Sequence, residues 1–70
     1  MRYEYQPYAD DASWTLLPGA YVSRQAAADS VARRLGGKAA SPKGTYGTET
    51  AYKLHRGEVA GFYLREATHA

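Results

Sequence analysis

The chain has 70 residues, a length that accommodates one small domain and leaves no room for two hydrophobic cores. It has no cysteine, which excludes disulfides and thiolate metal sites, and no apolar run near the roughly 18 residues that a membrane-spanning helix needs. The formal net charge is +2, and the N-terminal stretch has no signal-peptide pattern. We therefore expect a single small domain over residues 1–70 that is soluble and cytoplasmic.

Charge and aromatic residues are unevenly distributed. Residues 1–22 carry one cation and three carboxylates, a net charge of −2, whereas residues 33–56 carry six cations and one carboxylate, a net charge of +5. Such a dipolar chain can steer a charged partner. Seven of the nine aromatic residues are tyrosines, which suit binding surfaces but also have a high propensity for strands.

The first predicted elements are two short strands. Residues 2–6 alternate between aromatic and polar side chains and are predicted to form a strand that ends at Pro7. A second strand is predicted over residues 14–17, before the turn dipeptide Pro18-Gly19. We expect four side chains to meet on one face of this first hairpin: Tyr3, Tyr5, Trp14 and Leu16.

A helix is predicted over residues 24–35. Ser23 is a suitable N-cap, because its hydroxyl can accept from a free N–H of the first turn, and Gly36-Gly37 is a typical end. Apolar residues recur at spacings of three and four and form one stripe: Ala27, Ala28, Val31, Ala32 and Leu35. These small side chains allow the helix to lie close against a sheet.

Residues 37–44, GKAASPKG, are predicted to form a loop because they are rich in Gly, Pro, Ser and Lys. The loop is either a plain mobile connection or, through Lys38 and Lys43, a segment that contacts phosphate. It lacks the Gly-Lys-Ser/Thr ending of a P-loop.

A second hairpin is predicted over residues 45–66. Its first strand, residues 46–55, alternates regularly, and five side chains are expected to face the core: Tyr46, Thr48, Thr50, Tyr52 and Leu54. A two-residue turn at Arg56-Gly57 would expose the apolar side chains of the second strand. A three-residue loop with a left-handed Gly57 and a bulge instead buries three of them, Ala60, Phe62 and Leu64, and we favour this register.

The predicted order is strand, strand, helix, strand, strand. This gives an α+β fold in which one helix covers one face of a four-stranded antiparallel sheet. The other face is then expected to carry Lys53, His55, Val59, Tyr63 and Arg65.

This outer face is the candidate functional surface. Tyr and Arg are enriched at the energetic centres of protein interfaces, and both can also contact nucleic acid. Five residues are predicted to bind a partner: Lys53, Tyr63 and Arg65 on the sheet, with Arg33 and Arg34 near the helix end. In the alternative of direct nucleic-acid binding, Lys38, Lys43 and Arg56 are added. An ordinary solvated sheet face remains a third interpretation.

Residues that could support catalysis are few. His55 and His69 are the two histidines, and Asp10-Asp11 is an adjacent carboxylate pair of the kind that commonly forms turns. No known catalytic, phosphate-binding or metal-binding motif is present. We therefore predict that the protein is not an enzyme and requires no metal or cofactor.

Two stretches, YVSRQAAADSVARRL (21–35) and TAYKLHRGEVAGFYL (50–64), together with the chain length, resemble small proteins of phages and mobile elements. Among these are anti-CRISPR inhibitors with one helix packed on a curved antiparallel sheet. The resemblance implies a non-enzymatic inhibitor that occupies the surface of a nucleic-acid-handling protein complex. It concerns size and style rather than a motif, so no functional residue is transferred from it.

The leading hypothesis is thus an inhibitor or adaptor that binds a protein, and the alternative is a module that binds nucleic acid directly. The chain is expected to be a monomer or a weak homodimer associated through an exposed strand edge. The sequence does not identify the partner, the host or the stoichiometry.

Overall fold

The computed structural model describes residues 1–9 and 13–67. In chain order these form β1 (Tyr3–Pro7), β2 (Thr15–Leu16), α1 (Arg24–Arg34), β3 (Ala39–Tyr46), β4 (Glu49–His55) and β5 (Gly61–Glu66). The sheet has the order β2-β1-β5-β4-β3, and all its pairings are antiparallel. The predicted α+β class is confirmed. The predicted four strands are wrong, because the sheet has five.

The additional strand is β3, in the segment that was predicted to be a loop. Its backbone pairs with β4 along almost its whole length, with a bulge between Pro42 and Gly44. Because β3 is the edge strand, proline can be accommodated there without breaking a ladder on both sides. Local composition therefore gave the wrong prediction, and pairing with β4 decides the conformation. Pro42, Lys43 and the bulge also hinder pairing of this edge with a second chain.

The predicted strand over residues 46–55 is in fact divided by a tight turn. Tyr46 pairs with Glu49 across Gly47 and Thr48, and Gly47 has a φ of 65°, which glycine adopts without steric cost. Tyr46 and Thr48 are consequently exposed rather than buried. The burial predicted for the rest of the strand is confirmed for Thr50, Tyr52 and Leu54.

The helix agrees closely with its prediction. The Ser23 hydroxyl accepts a hydrogen bond of 3.1 Å from the Ala26 N–H, and Gly36 has a φ of 75° just beyond the C-cap residue Leu35. All five residues of the predicted apolar stripe are buried. At 11 residues, α1 is too short to cross a membrane, and the described part of the chain contains no other helix.

The core lies between α1 and the inner face of the sheet. Phe62 and Leu64 of β5 are fully buried, as the favoured register predicted. Phe62 pairs with Tyr52 of β4, and their rings stack with centroids 5.3 Å apart. Leu17, just beyond β2, is also fully buried and completes the core below β1.

The connection between β4 and β5 differs in detail from the prediction. The left-handed residue is Arg56, with a φ of 57°, and Gly57 does not have a positive φ. Gly57 is instead required by close packing, since a Cβ there would lie 2.0 Å from Cδ2 of Leu54. Ala60 is exposed, contrary to prediction, and Val59 packs against the core rather than lying on the outer face.

The first hairpin also distributes its side chains differently. Leu16 pairs with Glu4, so it lies on the outer face with that residue, whereas Tyr3 is buried on the inner face. Trp14 is also on the outer side, under the guanidinium of Arg65. The predicted cluster of these side chains with Tyr3 and Tyr5 is therefore wrong. The apolar residue that joins Tyr3 is Leu17, whose N–H donates to the Tyr3 carbonyl.

Stability is expected to fall at alkaline pH. Burial raises the pKa of Tyr52 from its ordinary value of 10.0, although the nearby Arg24 partly opposes the shift. A phenol whose pKa is raised by folding contributes stability that is fully present below the unfolded-state pKa and is lost as the pH rises through the folded-state value. The melting temperature should therefore decrease above about pH 10.

The comparison variant for this prediction is Tyr52→Phe, which keeps the ring and removes the ionisable group. Its melting temperature should decrease less between pH 9 and pH 11 than that of the wild type. An equally steep decrease in both proteins would contradict the prediction, because the loss would then come from other groups.

Candidate binding surface on the outer sheet face

The outer face of the sheet is not covered by α1, which packs on the inner face. Cross-strand pairing places its side chains in rows. One row joins four strands and contains Gly44, Ala51, Tyr63 and Gln6. The next row joins all five and contains Tyr46, Glu49, Arg65, Glu4 and Leu16. On this face the small residues Gly44 and Ala51 lie on β3 and β4, beside the large side chains of Tyr63 and Arg65 on the central strand β5.

Three tyrosines, Tyr8, Tyr46 and Tyr63, form what we call the tyrosine patch. The rings of Tyr8 and Tyr63 have centroids 4.8 Å apart and are tilted by 58°. Tyr8 follows β1, and its N–H donates to the Gly61 carbonyl at 2.9 Å. Tyr46 reaches over Gly44, where a Cβ would lie 3.4 Å from the tyrosine hydroxyl oxygen.

Glycine at position 61 makes this arrangement possible. A Cβ at Gly61 would lie 2.8 Å from Cε2 of Tyr8, so only glycine leaves room for the ring. Ala51 is small as well, and although it lies on the outer face it is only 4% exposed. Part of the tyrosine surface is therefore used to cover the sheet, whereas Tyr46 remains 66% exposed.

The Tyr8 hydroxyl lies close enough to the other two tyrosines to be affected by them. The pKa of Tyr8 is raised from 10.0, first by desolvation and then by the neighbouring Tyr63 and Tyr46. Tyr8 therefore contributes a neutral hydroxyl, which can donate and accept hydrogen bonds, beside apolar ring surface.

Arg65 was predicted to bind a partner, but its side chain already makes two contacts within the protein. Its Nε donates to a carboxylate oxygen of Glu4, and its guanidinium carbon lies 3.7 Å from the centroid of the Trp14 ring. The ion pair neutralises the charge, and the stacking fixes the planar group. Arg65 thus joins β1, β5 and the segment before β2.

Lys53, by contrast, is exposed on β4 directly opposite Ser41. Near it, the Ser41 hydroxyl and His55 Nε2 are hydrogen bonded at 2.9 Å. Both residues are exposed, and no further hydrogen bond orients the imidazole within the described ranges, 1–9 and 13–67. Lys53 therefore supplies positive charge beside the tyrosine patch.

The residues predicted to bind a partner do not form one surface. Tyr63, Arg65 and Lys53 lie on the outer face, whereas Arg33 and Arg34 are in the last turn of the helix that covers the inner face. The alternative set is also divided. Lys43 lies at the bulge of β3, while Lys38 and Arg56 lie beside the helix end.

Two members of the tyrosine patch were not identified from the sequence. Tyr46 was assigned to the core because the alternation continued through an unrecognised turn; the Tyr-Gly-Thr sequence could have indicated that turn. Tyr8 falls between the two strands predicted for the first hairpin, and nothing local shows that its ring folds back over Gly61. Contacts between β1 and β5 create this position.

Some candidate residues cannot be placed. Asp10, Asp11 and His69 lie outside the described residues. Within 1–9 and 13–67, no group of three or more His, Asp or Glu side chains is arranged to hold a metal ion.

Comparisons with known proteins identify no relative of the chain. No protein-family model matches it, and searches of curated proteins and of solved structures find no significant match.

Proposed function

We propose that this chain is a non-enzymatic binding protein whose outer sheet face recognises an acidic surface of a protein partner. The observation that supports the proposal is the tyrosine patch. It gathers three amphipathic rings on the uncovered face of the sheet, with Tyr46 largely exposed. Tyrosine side chains provide large contact areas at low cost in conformational entropy, and they are enriched at protein interfaces.

The charges around the patch favour a partner that carries carboxylates. Lys53 and Lys43 are exposed, and neither forms an ion pair within the described part of the chain. The Glu4 carboxylate is already bound to Arg65, and Glu49 is partly buried. Among the residues that the structure describes, positive charge therefore dominates at the edge of the patch, where it can guide association and exclude basic partners.

A nucleic-acid-handling complex is the first partner to test, and inhibition by surface occupation is the proposed mode of action in the cytoplasm. This choice of partner rests on the resemblance to small phage inhibitors of the anti-CRISPR kind. The proposal of a protein-binding face rests on the patch itself and stands independently of that resemblance.

The proposal is tested first by photo-crosslinking. A photoreactive phenylalanine analogue is placed at position 46, in the patch, and in a control protein at position 25, on the exposed surface of α1. We expect a defined complex to be captured from purified candidate partners at position 46 only. Equal capture at both positions would contradict an interface on the outer face.

Affinity for the captured partner is then measured by calorimetry. Tyr46→Ala and Lys53→Glu should each weaken binding at least about tenfold, which corresponds to about 1.4 kcal/mol. The matched control is Arg24→Glu, an equal charge reversal at the exposed start of the helix, which should change affinity less than about threefold. Unchanged affinity in both patch variants would overturn the proposal.

A further inference from the structure

A second surface lies at the end of the molecule where α1 and the β4–β5 connection meet. Four cations are found there, Arg33, Arg34, Lys38 and Arg56, and we call this surface the basic end. The segments are joined by backbone hydrogen bonds, from the Lys38 N–H to the His55 carbonyl at 2.8 Å and from the Glu58 N–H to the Leu35 carbonyl at 3.0 Å.

These bonds bring together cations from three separate segments. Arg34 precedes Leu35, and Arg56 follows His55, so both lie next to a residue that accepts one of the two bonds. Close packing fixes the junction, because a Cβ at Gly57 would lie 3.2 Å from the Leu35 carbonyl oxygen and would overlap Leu54. The segments that carry the basic end are therefore closely packed and hydrogen bonded to one another.

The charges of the basic end are directed to solvent. All four cationic residues are exposed, and none of them forms an ion pair within residues 1–9 and 13–67. Glu58 is the one carboxylate of the β4–β5 connection, which leaves a local excess of three positive charges, compared with +2 for the whole chain. Arg33 and Arg34 lie in the last turn of α1 and offset the negative end of the helix dipole. Lys38 and Arg56 lie beyond the helix and do not have this role.

Arg56 occupies a backbone conformation that favours glycine. Its φ is 57°, in the left-handed region that residues other than glycine seldom adopt. The next residue in the chain is Gly57. The glycine therefore follows the left-handed position, and that position itself is occupied by an arginine. A strained, exposed arginine at the start of the β4–β5 connection points to a role for its charge.

We propose that the basic end binds the phosphodiester backbone of nucleic acid, independently of base sequence. The exposed cations come from separate segments of the basic end, which suits a chain of repeated phosphates better than a single phosphate group. A membrane is a poorer match, since the large apolar side chains that are exposed in the described residues, Met1, Leu16, Val22 and Tyr46, all lie in other segments. This function is additional to protein binding by the tyrosine patch and uses different residues.

The test is fluorescence anisotropy with a labelled DNA duplex over a series of salt concentrations. Wild-type binding should weaken steeply with salt, and each lost phosphate contact should lower the slope of log K against log salt by about 0.9. The variants are Lys38→Gln and Arg56→Gly. The second removes a charge and also suits the positive φ, so weaker binding cannot be attributed to an unfolded protein.

Two control variants locate the site. Arg2→Gln removes one exposed charge at the start of β1, and Tyr46→Ala alters the tyrosine patch. Both should bind the duplex like the wild type. The proposal is overturned if the wild type does not bind at low salt, if Arg2→Gln weakens binding as much as Lys38→Gln does, or if binding requires Tyr46. Because the protein-binding test uses other variants and another ligand, either proposal can fail alone.

Discussion

Replacement of Phe62 by alanine should unfold a large fraction of the protein at room temperature. Phe62 is fully buried at the centre of β5 and stacks on Tyr52, so the substitution removes a ring and leaves a cavity that neighbouring strands cannot fill. Substitutions of a buried phenylalanine by alanine lower the free energy of unfolding by about 3–5 kcal/mol. A domain of this length buries only about 60% of its unfolded surface and has little stability in reserve. Chemical denaturation followed by far-UV circular dichroism measures the effect.

The control for this prediction is Phe62→Leu, which retains most of the apolar volume. The free energy of unfolding of this variant should fall by less than about 1.5 kcal/mol, and the protein should remain folded. If Phe62→Ala melts within a few degrees of the wild type, Phe62 does not lie in the core and the register of β5 is incorrect.

A methyl group at position 61 should destabilise the sheet and also displace Tyr8. A Cβ at Gly61 would lie 2.2 Å from the carbonyl oxygen of Tyr52, and backbone atoms cannot move aside as a flexible side chain can. Overpacking of this kind typically costs about 1–3 kcal/mol. At about 4–8 °C per kcal/mol for a domain of this size, the melting temperature of Gly61→Ala should fall by about 4–24 °C.

Gly44→Ala is a suitable control, because Gly44 lies on the same face and its added Cβ would approach the Tyr46 hydroxyl oxygen at 3.4 Å, within ordinary contact. Its melting temperature should change by only a few degrees. Gly61→Ala should also weaken binding of the protein partner, since the patch loses its Tyr8 contact. A Gly61→Ala protein with wild-type stability would show that β4 and β5 are not paired in the observed register.

The elements that local physics dominates were predicted accurately. The helix, its serine cap and its glycine end depend on residues within a few positions of one another, and the structure confirms each of them. The register of β5 was also predicted, because only one choice buries both Phe62 and Leu64. The turn that precedes this strand was not, since a left-handed arginine next to glycine opposes the local preference.

The candidate site was predicted only in part. Tyr63 and Lys53 were placed correctly on the outer face. Arg65 lies on the same face but is bound to Glu4, a partner 61 positions away in the chain. Tyr8 and Tyr46 reach the patch through strand pairing and a tight turn. Contacts of this kind are set by the path of the chain through the sheet, which alternation within one strand does not report.

The sequence by itself determined the α+β class, the helix and its buried face, and the burial of Phe62 and Leu64 in β5. The tertiary structure alone decided that residues 39–46 form an edge strand and that Arg65 is engaged within the fold. It also decided which tyrosines share a surface. The physical reason is the separation in sequence of the residues that interact. Capping and helical periodicity depend on residues within one or two helical turns of one another. The edge strand β3, which contains Gly, Pro and Lys, instead acquires its conformation from backbone hydrogen bonds to the neighbouring strand β4.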